Sequence, residues 1–327
     1  MVLVTGATGL LGSALTRLLL ARGLHVRIFR RETSSLDLLD GVADSVQQFT
    51  GEIDDPLALA EAMAGVEEVY HAAAYIGFGG HRERQRLFRV NVDGTAAVIN
   101  TALAADVRRL VHTSSMAAFG RPDRPNGVID ESMEWHRSKA NSTYAYTKYL
   151  SEMEVRRGLA EGLDAVIVNP ALIFGTGRPN DNTRQIVDRI RRERLPAMSS
   201  GGTNVVDVED VADGMIRAME RGRTGERYFL GSENLSWKEI IRTFAEAFDV
   251  QPPRFTLSAR PAMALAYASE AIALVSRSRP LITRDTARSA SRFYRYSNRK
   301  AVEELGCSFR PFTETAARIA REITGQR

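Results

Sequence analysis

Tyr144 and Lys148 stand four residues apart in Asn141-Ser-Thr-Tyr-Ala-Tyr-Thr-Lys148. On a helix that spacing turns the phenol and the ammonium to one face. A tyrosine with its ordinary pKa near 10 is a poor acid–base group at neutral pH. A fixed cation a few ångströms away favours the phenolate and makes proton exchange with a carbonyl oxygen feasible. Tyr146 and Tyr149, two residues and one residue from the lysine, face elsewhere. About thirty residues upstream, Ser114-Ser115 offers hydroxyls that can bind the same oxygen. Tyr-x-x-x-Lys alone recurs by chance on many helices, so its meaning depends on the elements that position it.

Those elements begin at the amino terminus. Met1-Val-Leu-Val4 is a short apolar run followed by Thr5-Gly-Ala-Thr-Gly-Leu-Leu-Gly12. A segment with helical apolar spacing then runs to Arg22, with Gly23 as its stop. Strand, glycine turn and helix in that order make a seat for a dinucleotide pyrophosphate on a helix N-terminus. Gly6, Thr8, Gly9, Leu10, Leu11 and Gly12 are the residues expected to hold it. His25–Phe29 reads as the second strand. Arg30 ends it, where an acidic residue binds the ribose 2′-hydroxyl of NAD and an arginine accommodates a 2′-phosphate. NADP(H) is therefore favoured as cofactor, with NAD(H) possible.

Val46–Phe49 and Val66–Tyr70 read as further strands, and Leu110–Thr113 as the fifth, running into Ser114-Ser115. After the fourth strand, Ala72, Ala73 and Ala74 are small enough for a cofactor to pass close to the backbone, while His71 is read as structural. Alternation of strands and helices as far as Pro170 predicts an α/β, doubly wound parallel sheet, a Rossmann fold. Beyond Pro170 the alternation loosens. Residues 1–170 plus about 201–231 are expected to form the dinucleotide-binding domain, and about 171–200 plus 232–327 a small C-terminal substrate-binding lobe.

The chain resembles the extended short-chain dehydrogenase/reductases, the epimerase/dehydratase-like group. Besides the glycine turn, the resemblance lies in His71-Ala-Ala-Ala74, Asn91-Val-Asp-Gly-Thr95, Ser114-Ser-Met-Ala-Ala-Phe-Gly120, Tyr144-Ala-Tyr-Thr-Lys148 and Asn169-Pro-Ala-Leu-Ile-Phe-Gly175. Arg30 and Gly225-Glu-Arg-Tyr-Phe-Leu-Gly231 look most like its dihydroflavonol reductase-like branch. The resemblance implies that Tyr144 is the general acid/base, and that Lys148 lowers its pKa and binds the nicotinamide ribose. Ser115 would bind the substrate oxygen, and Asn91 would hold a water chain to the lysine. Pro170 and Ile173 would border the nicotinamide. Glu52, with Ile53 beside it, takes the place of the aspartate commoner near the adenine. The implied activity is an NADP(H)-dependent oxidoreductase interconverting a ketone or aldehyde with an alcohol. One rival is a nucleotide-sugar epimerase or dehydratase with tightly bound NAD. Arg30 and the lack of an Asp-Glu pair after Ser115 speak against it. The other rival, a non-catalytic NADP-binding sensor, is disfavoured because Tyr144 and Lys148 are both present.

Composition narrows the rest. The 327 residues are 44% hydrophobic and 26% charged, which is ordinary for a globular chain. Cys307 is the single cysteine, so no internal disulfide forms, and no metal-ligand spacing accompanies it. Met1 leads straight into the first strand, which predicts no signal peptide and a cytoplasmic enzyme. The apolar stretch 260–275 is too short for a bilayer and is interrupted by Glu270. It is expected to line or cover the substrate pocket, with peripheral membrane contact as the alternative. Net charge is +4. Basic residues gather at Arg277, Arg279, Arg284, Arg288, Arg292, Arg295, Arg299 and Lys300, and again at Arg178, Arg184, Arg189, Arg191 and Arg192. No nucleic-acid module accompanies them, and they are the groups to suspect if the substrate carries a diphosphate. Partners are expected to be a small carbonyl or alcohol, with no nucleic acid and no membrane, and a homodimer is possible. Tyr75, Phe78 and Trp135 lie in loops expected to wall the pocket.

Overall fold

Buried apolar runs make the central strands. Val2, Leu3 and Val4 are shielded on both faces, as are Ala165–Val168, which is what a strand covered by helices on either side requires. The computed structural model describes residues 1–77, 80–121, 127–136, 141–276, 287 and 290–325. Its main sheet uses β1 (Val2–Thr5), β2 (Val26–Arg30), β3 (Gln47–Thr50), β4 (Glu68–His71), β5 (Arg109–Thr113), β7 (Ala165–Pro170) and β11 (Arg227–Leu230). They lie in the order β11-β7-β5-β4-β1-β2-β3, and each neighbouring pair is parallel. The chain runs outward from β1 to β3 and then returns to place β4 on the other side of β1. The crevice beyond the carboxyl ends of β1 and β4 is thus the switch point where such sheets bind ligands.

Helices cover both faces. On one side lie α1 (Leu10–Ala21) and α7 (Val208–Arg221), packed with Leu15, Leu19, Val211 and Met215. On the other lie α2 (Pro56–Met63), α4 (Gly94–Ala104) and α5 (Thr143–Ala160), packed with Leu59, Val98, Ile99 and Val155. Local chemistry starts them. Asp55 caps α2, with Pro56 in the first turn, and the Ser142 hydroxyl accepts from Ala145 N at 3.1 Å to start α5. Ahead of α4, α3 (His81–Phe88) passes through a π-helical turn at Arg89–Asp93.

The second lobe is built on β8 (Leu172–Phe174), β10 (Gly202–Asp207) and β12 (Glu233–Ser236), which form a mixed three-stranded sheet. With α6 (Asn182–Arg191), α8 (Trp237–Ala247) and α11 (Phe312–Thr324) it encloses a core centred on Phe174, Phe244 and Phe312. Short parallel pairs join β6 (Val128–Ile129) to β14 (Arg295–Tyr296) and β9 (Met198–Ser199) to β13 (Thr256–Leu257).

Two segments sit differently from the expected division. Within 201–231, β10 belongs to the small sheet while α7, directly after it, packs on α1. Residues 295–307 leave the small lobe. Tyr296 stacks on Phe229 at 5.1 Å, and α10 (Arg299–Leu305) buries Ala301 and Leu305 against the main domain. Charge pins that return, with Lys300 on Glu226 at 2.5 Å and Glu304 accepting from Tyr228 at 2.9 Å. The stretch 260–275 is helical within α9 (Ala259–Ser276), yet Ala266 alone is buried among residues 259–269. Leu265 and Tyr267 are 48% and 57% exposed, so residues 259–269 of α9 form a surface helix.

Candidate active site

Tyr144, Lys148 and Ser115 converge where α5 crosses the carboxyl end of β5. The first turn of α5 carries Tyr144 and the second Lys148, so both face the sheet. Lys148 is 1% exposed, and its ammonium donates to Thr113 O at 2.7 Å, on the last residue of β5. Two residues on, Ser115 is the N-cap of a short 3₁₀ turn and accepts from Ala117 N at 3.2 Å. The Tyr144 phenol lies beside this hydroxyl, near enough for Ser115 to pull its pKa down.

Burial pushes the Tyr144 phenol above its ordinary value, against the pull of the Ser115 hydrogen bond. Burial also draws the Lys148 ammonium down to about 8, with the Glu152 carboxylate opposing. The sequence reading expects Lys148 to depress Tyr144. Desolvation is the larger influence on the phenol in this chain, and the Lys148 ammonium is committed to Thr113 O at 2.7 Å. A buried acid that stays protonated is suited to giving a proton to a developing alkoxide.

Residues that the spacing argument missed hold this group from behind. Glu152 is fully buried one helical turn beyond Lys148. It accepts from Ser114 Oγ at 2.6 Å and from Asn169 Nδ2 at 2.7 Å, and that amide also donates to Ser115 O at 3.0 Å. Arg227 approaches the far side of the carboxylate at 3.5 Å. The available signal was the i+4 carboxylate itself, on the one face of α5 that must be buried. Asn91 sits in the π-helical turn, a distortion that often re-aims a functional side chain. Its amide oxygen accepts from Tyr75 N at 2.7 Å, while its nitrogen donates to Tyr75 O at 3.0 Å and to Thr147 Oγ1 at 3.1 Å. Asn91→Ala removes all three bonds, and a loss of about 1–3 kcal/mol is expected as a lower melting temperature. His71 bridges Thr5 and Thr95 at 2.7 and 3.1 Å. It is drawn down to about 3 by burial, with the Lys148 charge adding, and so stays neutral.

The glycine turn forms a cradle at the switch point. Gly6 has φ +72°, and a Cβ there would sit 2.6 Å from Ala73 N, so β1 and the Ala72-Ala73 segment approach backbone to backbone. A Cβ on Gly12 would lie 2.1 Å from Gly6 O. Gly9 caps α1 without a side-chain hydrogen bond, and the first turn of the helix holds no acidic residue. Its N–H groups and dipole are therefore available to an anion, and the residues present fit a dinucleotide pyrophosphate. Thr8, Leu10 and Leu11 flank this end half-buried, as does Ala72 just after β4, while Ala74 is exposed. Pro170 and Ile173 sit at the facing end of β7 and in β8.

At the other end of the crevice, Arg30 closes β2. Its Nε donates to Gln48 Oε1 at 3.0 Å and its Nη1 to the carbonyls of Arg31 and Glu32 at 3.1 and 3.2 Å. Ile53 is buried, whereas the Glu52 carboxylate is exposed and 3.8 Å from Arg89.

A profile of the NAD dependent epimerase/dehydratase family matches residues 2–231. The chain belongs to that family. It is 38% identical over 260 residues, 79% of this chain and 77% of the relative, to sterol demethylase protein B of Methylococcus capsulatus. It is 33% identical to a Synechocystis protein with a provisional dihydroflavonol 4-reductase name, across 93% of this chain and 88% of the relative. Among solved structures, that of gox2253 superposes with TM-score 0.85 at 31% identity, covering 100% of this chain and 99% of the other. The chain is thus an extended short-chain dehydrogenase/reductase, an enzyme of oxidoreductase type.

The loops around this site are only partly read from pattern. Tyr75 donates to Glu83 and lies under the Arg86 guanidinium at 4.3 Å. Trp135 stacks on Tyr149 at 4.9 Å, next to Lys148. Phe78 and the basic residues Arg277, Arg279, Arg284 and Arg288 lie outside the described residues. Elsewhere the suspected arginines are partly committed: Arg178 pairs with Asp37, and Arg184 and Arg191 with Asp188. Arg189 and Arg192 line an open cavity of about 340 Å³ on α6, formed with Pro179 and Arg194 and apart from the catalytic group. Among the described residues, no helix is long and apolar enough to cross a membrane, and no acidic, histidine or cysteine cluster is placed to hold a metal ion.

Proposed function

We propose that this enzyme is an NADP(H)-dependent oxidoreductase that interconverts a ketone or aldehyde with an alcohol. The observation that carries the reading is the half-buried Tyr144–Ser115 pair with the buried Lys148 behind it, beside a glycine cradle at the switch point of the sheet. Related chains support the substrate class. A ketoreductase acting on a farnesylated dihydroquinoline oxide in Stigmatella aurantiaca is 30% identical over 93% of this chain. The 3-beta-hydroxysteroid dehydrogenase of Mycolicibacterium neoaurum is 31% identical over 79%. Both names describe a carbonyl–alcohol pair.

In this reading Gly6, Thr8, Gly9, Leu10, Leu11 and Gly12 hold the pyrophosphate, and Glu52 and Ile53 stand at the adenine. Ala72, Ala73 and Ala74 border the diphosphate, and Pro170 and Ile173 the nicotinamide. The bound cofactor would supply or accept the hydride. The chain's own residues do the rest. Ser115 orients the carbonyl oxygen through its hydroxyl. Tyr144 gives that oxygen its phenolic proton as the alcohol forms and takes a proton back in the reverse direction. Lys148 keeps positive charge behind the phenol, and Asn91 fixes the turn that faces it. The lobe of β8, β10, β12 and their helices closes the substrate side.

Arg30 supports the choice of NADP(H), since a guanidinium fork matches a 2′-phosphate. Fluorescence titration of NADPH and NADH, with Arg30→Asp beside the native chain, tests this. A charge-assisted contact of about 1.5–3 kcal/mol predicts a loss of NADPH affinity of roughly 10- to 100-fold, with NADH hardly changed. Consumption of NADPH with some member of a ketone and aldehyde panel completes the reading. NADH retained tightly with no net consumption would replace it by internal-redox epimerase chemistry.

A further inference from the structure

We infer that Glu152 is a positioning residue for this reaction, its buried carboxylate tethering the Ser114-Ser115 segment while standing as counter-charge to Lys148. The inference rests on the carbonyl–alcohol reading, because it assigns Glu152 its work through Ser115 and Lys148.

Tyr144, Lys148 and Glu152 are spaced i, i+4, i+8 and share one face of α5. Glu152 takes no part in the proposed proton transfer, yet it is fully buried. Burying a carboxylate is costly unless cations and donors surround it. Here two donors close on one oxygen, Ser114 Oγ at 2.6 Å and Asn169 Nδ2 at 2.7 Å. The Asn169 amide holds Ser115 O at 3.0 Å at the same time, so the carboxylate ties down the Ser114 side chain directly and the Ser115 carbonyl through Asn169.

The other oxygen faces Arg227, 3.5 Å away on β11. Arg227 in turn donates to Glu131 O at 2.8 Å and Met133 O at 2.6 Å, and lies 4.7 Å over the Phe119 ring. The carboxylate therefore meets Arg227 on the sheet edge, and its charge reaches Lys148 one turn back on its own helix. The other titratable groups facing Lys148 are Tyr144 on α5, His71 on β4 and His112 on β5. Burial keeps both histidines neutral. Glu131 is occupied by Phe229 N at 2.7 Å, and Lys300 pairs with Glu226, so neither replaces Glu152 beside the lysine.

The test is the pH dependence of kcat/KM for NADPH at saturating carbonyl, which reports groups of the free enzyme. The alkaline limb is assigned to Lys148, whose ammonium burial draws down to about 8. Removing a neighbouring anion destabilises the ammonium, so Glu152→Gln moves that limb to lower pH by roughly one unit. Arg227→Gln removes a neighbouring cation and moves it to higher pH. Ser114→Ala leaves the limb in place and lowers kcat, since the charge stays while the tether goes. A merely structural role moves none of the limbs, although it can lower the melting temperature.

A Glu152→Gln limb coincident with the native one overturns the inference, whatever happens to kcat. If Glu152→Gln does not fold, the Arg227→Gln profile decides, and a limb that stays or moves to lower pH overturns it. Failure of the underlying reading looks different: turnover then survives Tyr144→Phe, whatever Glu152 does.

Discussion

Tyr144→Phe is expected to lower carbonyl turnover by about 10²–10⁴-fold, the range spanned by loss of a general acid, while NADPH binding stays close to native. The substitution removes one oxygen and leaves the ring. Burial raises the phenol above its ordinary value, which favours the protonated form that the step needs. Nothing else among the described residues near Ser115 can replace it as an acid. His71 and His112 are held neutral by burial behind the strand ends, and the Lys148 ammonium is aimed at Thr113 O at 2.7 Å. Lys148→Met should lower turnover comparably and also lower the melting temperature, since it leaves the Thr113 carbonyl without this donor. The double variant should then be no worse than the poorer single one, as befits residues acting as one unit. Steady-state rates with NADPH and a reactive ketone decide it. Turnover within tenfold of native in Tyr144→Phe would remove Tyr144 from the chemistry.

The same site shows how far pattern carries. The turn from β1 into α1 was legible because it is local: three glycines, a preceding strand and a following helix allow one backbone path. The Tyr144–Lys148 face was legible for the same reason. The chemistry around it was less so, since depth is a tertiary property. A reading by charge alone expects Lys148 to acidify Tyr144, whereas desolvation dominates both groups. Glu152 was passed over because a glutamate on a helix is ordinarily solvated. Only the packing of α5 on β5 and β7 shows that its oxygens meet Ser114, Asn169 and Arg227.

The lobe boundary was hard to read locally for another reason. Val205–Val206 has the composition of any buried strand, and its choice of β8 and β12 as neighbours over the main sheet is made by Phe174, Phe244 and the rest of a core assembled from distant segments. Residues 295–307 return to the main domain through Lys300–Glu226 and Glu304 with Arg223 and Tyr228, pairings more than seventy residues apart that no local pattern displays.

Gly12→Ala is expected to cost both fold and cofactor, and Gly9→Ala to separate the two. An added Cβ at Gly12 would lie 2.1 Å from Gly6 O, 2.6 Å from Gly6 C and 2.8 Å from Ala7 Cα. All three are backbone atoms, so no rotamer change relieves the contact. Gly6 cannot yield either, being held at φ +72° with its own Cβ direction blocked at 2.6 Å by Ala73 N. Helix α1 must therefore shift off the turn, at a cost of about 1–3 kcal/mol, and its N-terminus moves with it. Melting temperature should fall and NADPH affinity drop by at least tenfold. At Gly9 the nearest atom to an added Cβ is Gly6 O at 3.4 Å, an ordinary contact. Gly9→Ala should stay within about 1 kcal/mol of native stability, yet place a methyl group where the diphosphate approaches the end of α1 and so weaken NADPH. Thermal melts and NADPH titrations of the two variants read these effects separately. Native affinity in Gly9→Ala would move the pyrophosphate off this turn, and native melting in Gly12→Ala would mean that α1 can back away from β1 at no cost.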